Sequence, residues 1–99
     1  MNPEPLIKLL DKSRSVKTEY EIACIDEANR VASLGHTAVR DVFFNGGTER
    51  DMHYAFLTAT RELEADLPYT SIIAQGDKAS ILHYMRKRDT GGGTTLLID

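Results

Sequence analysis

The spacing of apolar residues changes at Pro68, and this change constrains the fold more than any other feature of the sequence. Before Pro68 the apolar residues recur mostly at three- and four-residue steps, the spacing that places side chains on one face of an α-helix. After Pro68 come short β-branched or apolar runs, separated by turns that contain Gly, Asp and Lys, as is typical of strands. Helices followed by strands predict an α+β fold, with helices packed on one face of a small, largely antiparallel sheet.

The part before Pro68 predicts three helices. A short helix is predicted for residues 2–12, and residues 13–16 are interpreted as a linker. Thr18 and Glu21 have the spacing of a capping box at the start of a long second helix. Residues 45–47, Asn-Gly-Gly, end that helix because they reach the left-handed conformation common at helix C-termini.

Thr48 is predicted to cap a third helix, which runs to about Leu63 and is broken by residues 64–68. Three strands are predicted after it, at residues 69–74, 81–84 and 94–98. The run 96–98 is fully apolar, which indicates a strand buried on both faces. Such a strand needs neighbours, so we expect further chain, a partner subunit, or both.

Charge and composition exclude several classes of protein. The chain has 99 residues, 41% of them apolar and 27% charged, which is typical of a soluble globular domain. Its net charge of -3 and pI of about 5.6 supply no positive field for nucleic acid. The basic run Arg86 to Arg88 is interpreted as a solvated loop.

Cys24 is the only cysteine, so no intramolecular disulfide can form, which fits a reducing cytosol. Its place in the second helix predicts a small buried thiol. No apolar run approaches the ~20 residues needed to span a bilayer, and the N-terminus does not resemble a signal peptide. We therefore expect a cytoplasmic protein that binds neither nucleic acid nor membrane.

The three histidines do not form a local metal-binding pair. His36 and His53 fall in predicted helices and are interpreted as surface or half-buried residues. His83 falls in a predicted strand between Leu82 and Tyr84, where a structural role and a functional role both remain open. The glycines at 91–93 lack the Lys-Ser/Thr ending of a phosphate loop and are interpreted as a flexible hairpin connection.

Several segments together resemble one family. In order and spacing they are similar to the first part of the catalytic domain of the pita-bread metallopeptidases, and among these to bacterial Xaa-Pro dipeptidases (prolidases) and organophosphorus acid anhydrolases. The resemblance implies a partial pita-bread domain of the creatinase/aminopeptidase type. The segments are Lys17–Cys24, Ala55–Thr60, Leu67–Ala74, Ile81–Tyr84 and Leu96–Asp99.

The resemblance also implies a domain division and two site residues. Residues 1–16 would be the end of a preceding domain or a linker helix, and residues 17–99 the first part of the catalytic domain. His83 would match a histidine that lines the active site on the substrate side. Asp99 would match the first of five ligands, normally two Asp, one His and two Glu, to a pair of divalent metal ions of the manganese type. The other four ligands are absent from this chain.

The function implied for the parent protein is hydrolysis of Xaa-Pro dipeptides by a hydroxide held between two metal ions. One carboxylate cannot hold two ions, so we expect this chain alone to be inactive and to bind no metal stably. Two segments depart from the family pattern. Residues 75–77 are Gln-Gly-Asp where the family has Asn-Glu, and the connection 86–94 is unusual, so the substrate specificity of the parent stays open.

A second reading is a non-catalytic binding or assembly module that self-associates as a homo-oligomer or pairs with a separate second half. Exposed strand edges favour such pairing. A complete small enzyme that uses only His83 and Asp99 is disfavoured.

Overall fold

The computed structural model describes residues 3–99, so the part of the first predicted helix at residue 2 lies outside the described residues. The chain divides into two compact units, one ending at Arg30 and the other spanning Val31–Asp99. Short 3-10 turns occupy Glu64–Asp66 and Gly76–Ser80. Within residues 3–99, three helices and two strands give the predicted α+β class: α1 (Glu4–Ser15), α2 (Glu19–Phe44), α3 (Glu49–Thr60), β1 (Ile73–Gln75) and β2 (Leu96–Ile98).

The first unit contains α1 and the start of α2. The prediction of a linker from residue 13 is wrong, because α1 continues to Ser15. Ser15 Oγ donates to the Lys12 carbonyl oxygen at 2.7 Å, and the basic residues Lys12 and Arg14 lie in the last turn, where the helix dipole favours positive charge. The prediction that Cys24 is buried is also wrong, because its side chain is exposed.

The predicted capping box at the start of α2 is confirmed. The Thr18 amide donates to Glu21 Oε2 at 2.7 Å, and the Glu21 amide donates to Thr18 Oγ1 at 3.2 Å. These reciprocal bonds satisfy two of the backbone N–H groups that a helix N-terminus leaves without an intrahelical partner. They also lower the pKa of the Glu21 carboxyl below its ordinary value.

In the second unit, α2 ends at Phe44, as the glycines predict. Gly46 has a φ of 78°, and the Gly47 amide donates to the Val42 carbonyl oxygen at 2.9 Å. Thr48 then caps α3 in a second reciprocal capping box with Asp51. The helix α3 ends at Thr60, three residues before the predicted end at Leu63, because Arg61 turns into the left-handed region with a φ of 59°.

The strands β1 and β2 pair antiparallel, with Ile73 opposite Ile98 and Gln75 opposite Leu96. Side chains alternate across β1, so its two faces meet different neighbours. One face packs on α2 and α3, where the core consists of Val39, Met52 and Ile73, with Val42, Phe43, Phe56, Leu96 and Ile98 against it. The other face carries Ile72 and Ala74, which pack with Tyr84 and Ala79.

The prediction that residues 96–98 are buried on both faces is wrong, because Leu97 is 40% exposed. The strand buried on both faces is β1, which is shorter than predicted and begins at Ile73. No strand forms at residues 81–84, where the chain makes a turn after the second 3-10 segment. The glycines at 91–93 have a steric role: Gly93 has a φ of 121°, and a Cβ on it would lie 2.8 Å from the Gly76 nitrogen.

Candidate functional site

Asp99 directly follows β2, and its backbone continues the strand ladder. The Ile72 amide donates to the Asp99 carbonyl oxygen at 2.7 Å, and the Asp99 amide donates to the Ile72 carbonyl oxygen at 2.9 Å. The Tyr69 hydroxyl donates to Asp99 Oδ1 at 2.8 Å. The segment ahead of β1 thus holds both the backbone and the exposed carboxylate of Asp99.

The Tyr69 hydroxyl is a proton donor in this contact. The Asp99 carboxylate raises the pKa of Tyr69 above 10.0, first because it accepts the hydroxyl's hydrogen bond and second by its negative charge. The phenol therefore stays protonated at neutral pH. The free lone pairs of the Asp99 carboxylate remain open to a cation or a further donor.

His83 does not lie in a strand, as the sequence predicted, but at an exposed position with a left-handed φ of 53°. Apart from glycine, the residues that adopt this conformation most often are asparagine, aspartate and histidine. Within residues 3–99, the His83 side chain has no hydrogen-bond or ion-pair partner, and it does not contact Asp99 in that way. The structure therefore places the two predicted site residues on separate segments, with His83 in a turn and Asp99 at the end of β2.

Glu49 is a charged residue that sequence reasoning missed. It is the first residue of α3, and its side chain is completely buried. Its carboxylate accepts from the amides of Gln75 and Arg88, each at 2.8 Å, from the Tyr84 hydroxyl at 2.9 Å and from Arg88 Nε at 3.3 Å. Burial alone would raise the pKa of Glu49, but these hydrogen bonds and the Arg88 charge outweigh it, and the pKa is lowered.

His53 was expected at the surface or half-buried, but it is 7% exposed and has two side-chain partners. Its Nδ1 lies 2.7 Å from Ser71 Oγ, and its Nε2 contacts the Glu64 carboxylate. One signal was available in the sequence: His53 follows Glu49 by four residues, so both occupy one side of α3. Ser71 is itself buried, at 6% exposed, so the His53–Ser71 hydrogen bond connects α3 with the segment ahead of β1 inside the second unit.

The basic run at residues 86–88 was interpreted as a solvated loop, and for two of its members this is wrong. Arg88 binds Glu49, and Lys87 Nζ donates to the Ser71 carbonyl oxygen at 2.9 Å. Burial lowers the pKa of Lys87. Both residues join the segment after Tyr84 to the interior of the second unit.

The metal chemistry implied by the resemblance needs several ligands close together. Among residues 3–99, the structure contains no group of three or more His, Cys, Asp or Glu side chains arranged to hold a metal ion. The described residues therefore do not fit a complete two-metal site, and Asp99 can supply at most one of its ligands. A search of the same residues for a helix long and apolar enough to cross a membrane found none.

Comparison with known proteins identifies the class. Residues 23–99 match the model of metallopeptidase family M24, and this chain belongs to that family. Members of a metallopeptidase family use metal ions when intact, which agrees with the divalent metals that the resemblance implied.

Within the family, the chain is similar to Xaa-Pro dipeptidases, which confirms the resemblance. The Xaa-Pro dipeptidase of Pseudoalteromonas haloplanktis is 49% identical over 84 residues, which are 85% of this chain and 19% of that protein. Xaa-Pro dipeptidase 1 of Idiomarina loihiensis is 40% identical over 101 aligned positions, covering all of this chain and 22% of that protein. The dipeptidase of Serratia proteamaculans is 44% identical over 84 residues. The chain spans about a fifth of the length of these relatives.

Proposed function

We propose that this chain is part of an Xaa-Pro dipeptidase, to which it contributes Asp99 as one carboxylate ligand of a divalent metal pair and His83 on the substrate side. In this proposal residues 17–99 belong to the catalytic domain, and residues 1–16 belong to the end of a preceding domain or to a linker. The substrate is an Xaa-Pro dipeptide, and the metal is manganese.

The observation that carries the proposal is the way Asp99 is held. Two backbone hydrogen bonds to Ile72 fix its main chain, and the Tyr69 hydroxyl orients one carboxylate oxygen. A metal ligand needs such an outer partner, because hydrogen bonds to the ligand fix its direction before the ion binds. Asp99 is exposed, so its second oxygen is free to face an ion.

The same proposal holds that the 99 residues alone do not turn over a dipeptide. A two-metal hydrolase needs carboxylates that bridge both ions and the attacking hydroxide between them. The described residues supply one such carboxylate and no cluster around it. The purified chain, assayed with added Mn²⁺ on an Xaa-Pro dipeptide, should show no hydrolysis above the buffer rate, and turnover would contradict this part of the proposal.

A chimera tests whether Asp99 serves as a metal ligand in an active dipeptidase. Residues 17–99 would replace the matching stretch of the Pseudoalteromonas haloplanktis dipeptidase, which supplies the rest of an active protein. We expect the chimera to hydrolyse the Xaa-Pro dipeptide, and Asp99→Ala to reduce kcat by about a thousandfold or more, since loss of a ligand removes the metal's charge stabilisation. Asp89→Ala, which removes another exposed aspartate of the chain, is the matched control and should leave kcat unchanged.

His83 is tested in the same chimera. His83→Ala should lower kcat/KM by about tenfold to a hundredfold, whereas His36→Ala, at another exposed histidine, should not. A folded chimera without activity, or an Asp99→Ala variant as active as its parent, would exclude the assignment.

A second candidate function is an assembly module that forms a homo-oligomer or pairs with a separate second half. The first unit favours it, because it exposes several large apolar side chains: Leu6, Ile7, Leu9 and Leu10 are between 38% and 64% exposed. An exposed apolar patch of this kind marks an interaction surface. Sedimentation equilibrium of the purified chain distinguishes the two: a discrete dimer supports the module, and a monomer at all concentrations excludes self-association.

A further inference from the structure

The buried carboxylate of Glu49 holds two distant points of the chain with its two oxygens. Oε2 accepts from the Gln75 amide, at the end of β1. Oε1 accepts from the Tyr84 hydroxyl and the Arg88 amide, which lie beyond the turn that carries His83. The residues between these points, 76–83, form a loop whose two ends meet at one side chain of α3.

Arg88 binds both Glu49 and Gln75, and so links the same two segments through its own side chain. Its guanidinium donates to the Gln75 carbonyl oxygen at 3.0 Å and contacts Glu49 at 3.3 Å, and it lies 3.7 Å from Asp77 Oδ1. Gln75 is therefore held at both its amide and its carbonyl group. We call Glu49, Gln75, Tyr84 and Arg88 the loop clamp.

The clamp is an ionic one. Glu49 lies in the first turn of α3, where the helix dipole stabilises negative charge. Its lowered pKa means that the carboxylate is ionised at neutral pH and can accept from all four donors. A charge this deeply buried is maintained only when hydrogen bonds and an opposite charge satisfy it, and here both are present.

His83 directly precedes the clamp residue Tyr84 in the chain. It has a left-handed φ of 53°, and it is exposed, with no hydrogen-bond or ion-pair partner for its side chain among residues 3–99. Tyr84 in contrast is 7% exposed and packs with Ile72 and Ala74 of the sheet. The residue that follows His83 is therefore fixed by its packing in the core and by the hydrogen bond from its hydroxyl to Glu49.

We propose that Glu49 is the positioning residue of His83, acting through the Tyr84 hydroxyl on one side of the loop and the Gln75 amide on the other. The effect of this positioning on catalysis rests on the proposed function, in which His83 faces the substrate. The clamp itself is a property of the 99 residues and can be measured without substrate.

Two variants release opposite ends of the loop. Tyr84→Phe removes only the hydroxyl that donates to Glu49 and keeps the ring in its place in the core. Glu49→Gln replaces one oxygen by an amide group. Because three of the four donors face Oε1, the remaining oxygen should turn to them, and the Gln75 amide should lose its acceptor. Tyr54→Phe, at an exposed tyrosine of α3, is the matched control.

The readouts on the whole chain are ¹⁵N relaxation at His83 and amide hydrogen exchange at Gln75. In Tyr84→Phe we expect the His83 order parameter to fall from the rigid range to below about 0.6. In Glu49→Gln we expect exchange at Gln75 to rise by about tenfold or more. The amide of Met52, which donates to Thr48 within α3, should keep its exchange rate in both variants.

The outcomes separate a local clamp from general loosening. If His83 stays rigid in Tyr84→Phe, or if Met52 exchanges faster by the same factor as Gln75, Glu49 does not position His83. In the chimera, Tyr84→Phe combined with His83→Ala should cost no more in kcat/KM than His83→Ala alone, and additive losses would overturn the link to catalysis. An inactive chimera with the expected relaxation result would overturn the proposed function and leave the clamp in place.

Discussion

His53 of α3 and Ser71 ahead of β1 are joined by a hydrogen bond of 2.7 Å between Nδ1 and Oγ, and both side chains are less than 10% exposed. Because the imidazole also contacts Glu64, it links two points of the connection between α3 and β1. Ser71 precedes Ile72, whose backbone pairs with Asp99. His53 thus fixes the connection between α3 and β1 on both sides of Tyr69, the residue whose hydroxyl donates to the candidate metal ligand Asp99.

The first prediction concerns this bond. Ser71→Ala leaves a buried imidazole nitrogen without its partner, so the free energy of unfolding should fall by about 1–3 kcal/mol. Urea denaturation of the purified chain measures it. Ser15→Ala removes an exposed hydroxyl that donates to the Lys12 carbonyl oxygen and should change the free energy by less than about 0.5 kcal/mol. Equal losses in the free energy of unfolding for the two variants would show that the buried His53–Ser71 bond stabilises the fold no more than an exposed one.

The second prediction concerns the capping box of α3. Thr48 Oγ1 accepts from the Asp51 amide at 3.1 Å, and Asp51 Oδ2 accepts from the Thr48 amide at 2.9 Å. Thr48→Ala should lower the free energy of unfolding by about 1 kcal/mol, because one helix N–H loses its acceptor. Thr58→Ala, at an exposed position inside the same helix, should instead be neutral or stabilising, since alanine favours the helix. The two variants are compared by thermal and urea unfolding.

The third prediction concerns Gly35, a buried glycine inside α2. A Cβ at Gly35 would lie 2.5 Å from the Phe56 ring and 2.8 Å from Thr60 Cγ2. Alanine gains about 1 kcal/mol in helix propensity, but overpacking of this kind costs about 1–3 kcal/mol, so we expect Gly35→Ala to destabilise the second unit.

A second substitution tests the reason for the effect. In a Phe56→Leu background the ring is gone, and Gly35→Ala should cost less than it does in the original chain, as a double-mutant cycle by urea unfolding would measure. Thr37→Ala, at an exposed site in α2, reports the gain in helix propensity alone. A stabilised Gly35→Ala variant would show that Phe56 moves aside without cost.

The sequence predicted well those features that depend on interactions between residues close together in the chain. The capping boxes at Thr18 and Thr48 and the glycine end of α2 depend on residues within a few positions of each other, and all three are present. Each of these features is fixed by local hydrogen bonds or by side-chain type.

What the sequence did not predict depends on residues far apart. Glu49 and Arg88 are 39 positions apart, and nothing near either one indicates an ion pair. Residues 81–84 have strand composition but form a turn, because Tyr84 is held by Glu49 and packs on Ile72 and Ala74. Tertiary contacts override β-propensity in such cases. The hydrogen bond between Tyr69 and Asp99 also joins residues 30 positions apart, and the sequence likewise contains no sign of it.

The fourth prediction concerns the pH dependence that Glu49 gives to the fold. The hydrogen bonds from Arg88, Gln75 and Tyr84 outweigh the opposing effect of burial and lower the pKa of Glu49 in the folded chain below its ordinary value of 4.5. Since the folded state binds the proton less tightly than the unfolded state, the ionised carboxylate stabilises the fold fully above pH 4.5. That contribution is lost progressively as the pH falls through 4.5 towards the lowered pKa.

Glu49→Gln should therefore lower the free energy of unfolding by about 3 kcal/mol at pH 7, because a buried ion pair loses its charge and one donor loses its acceptor. The difference from the original chain should shrink steadily below pH 4.5, where the original carboxyl also becomes protonated. Urea unfolding at a series of pH values from 7 to 3 measures both. Asp26→Asn, at an exposed aspartate, should show no comparable difference at any pH. A Glu49→Gln difference that stays constant across the series would mean that the Glu49 charge does not stabilise the loop clamp.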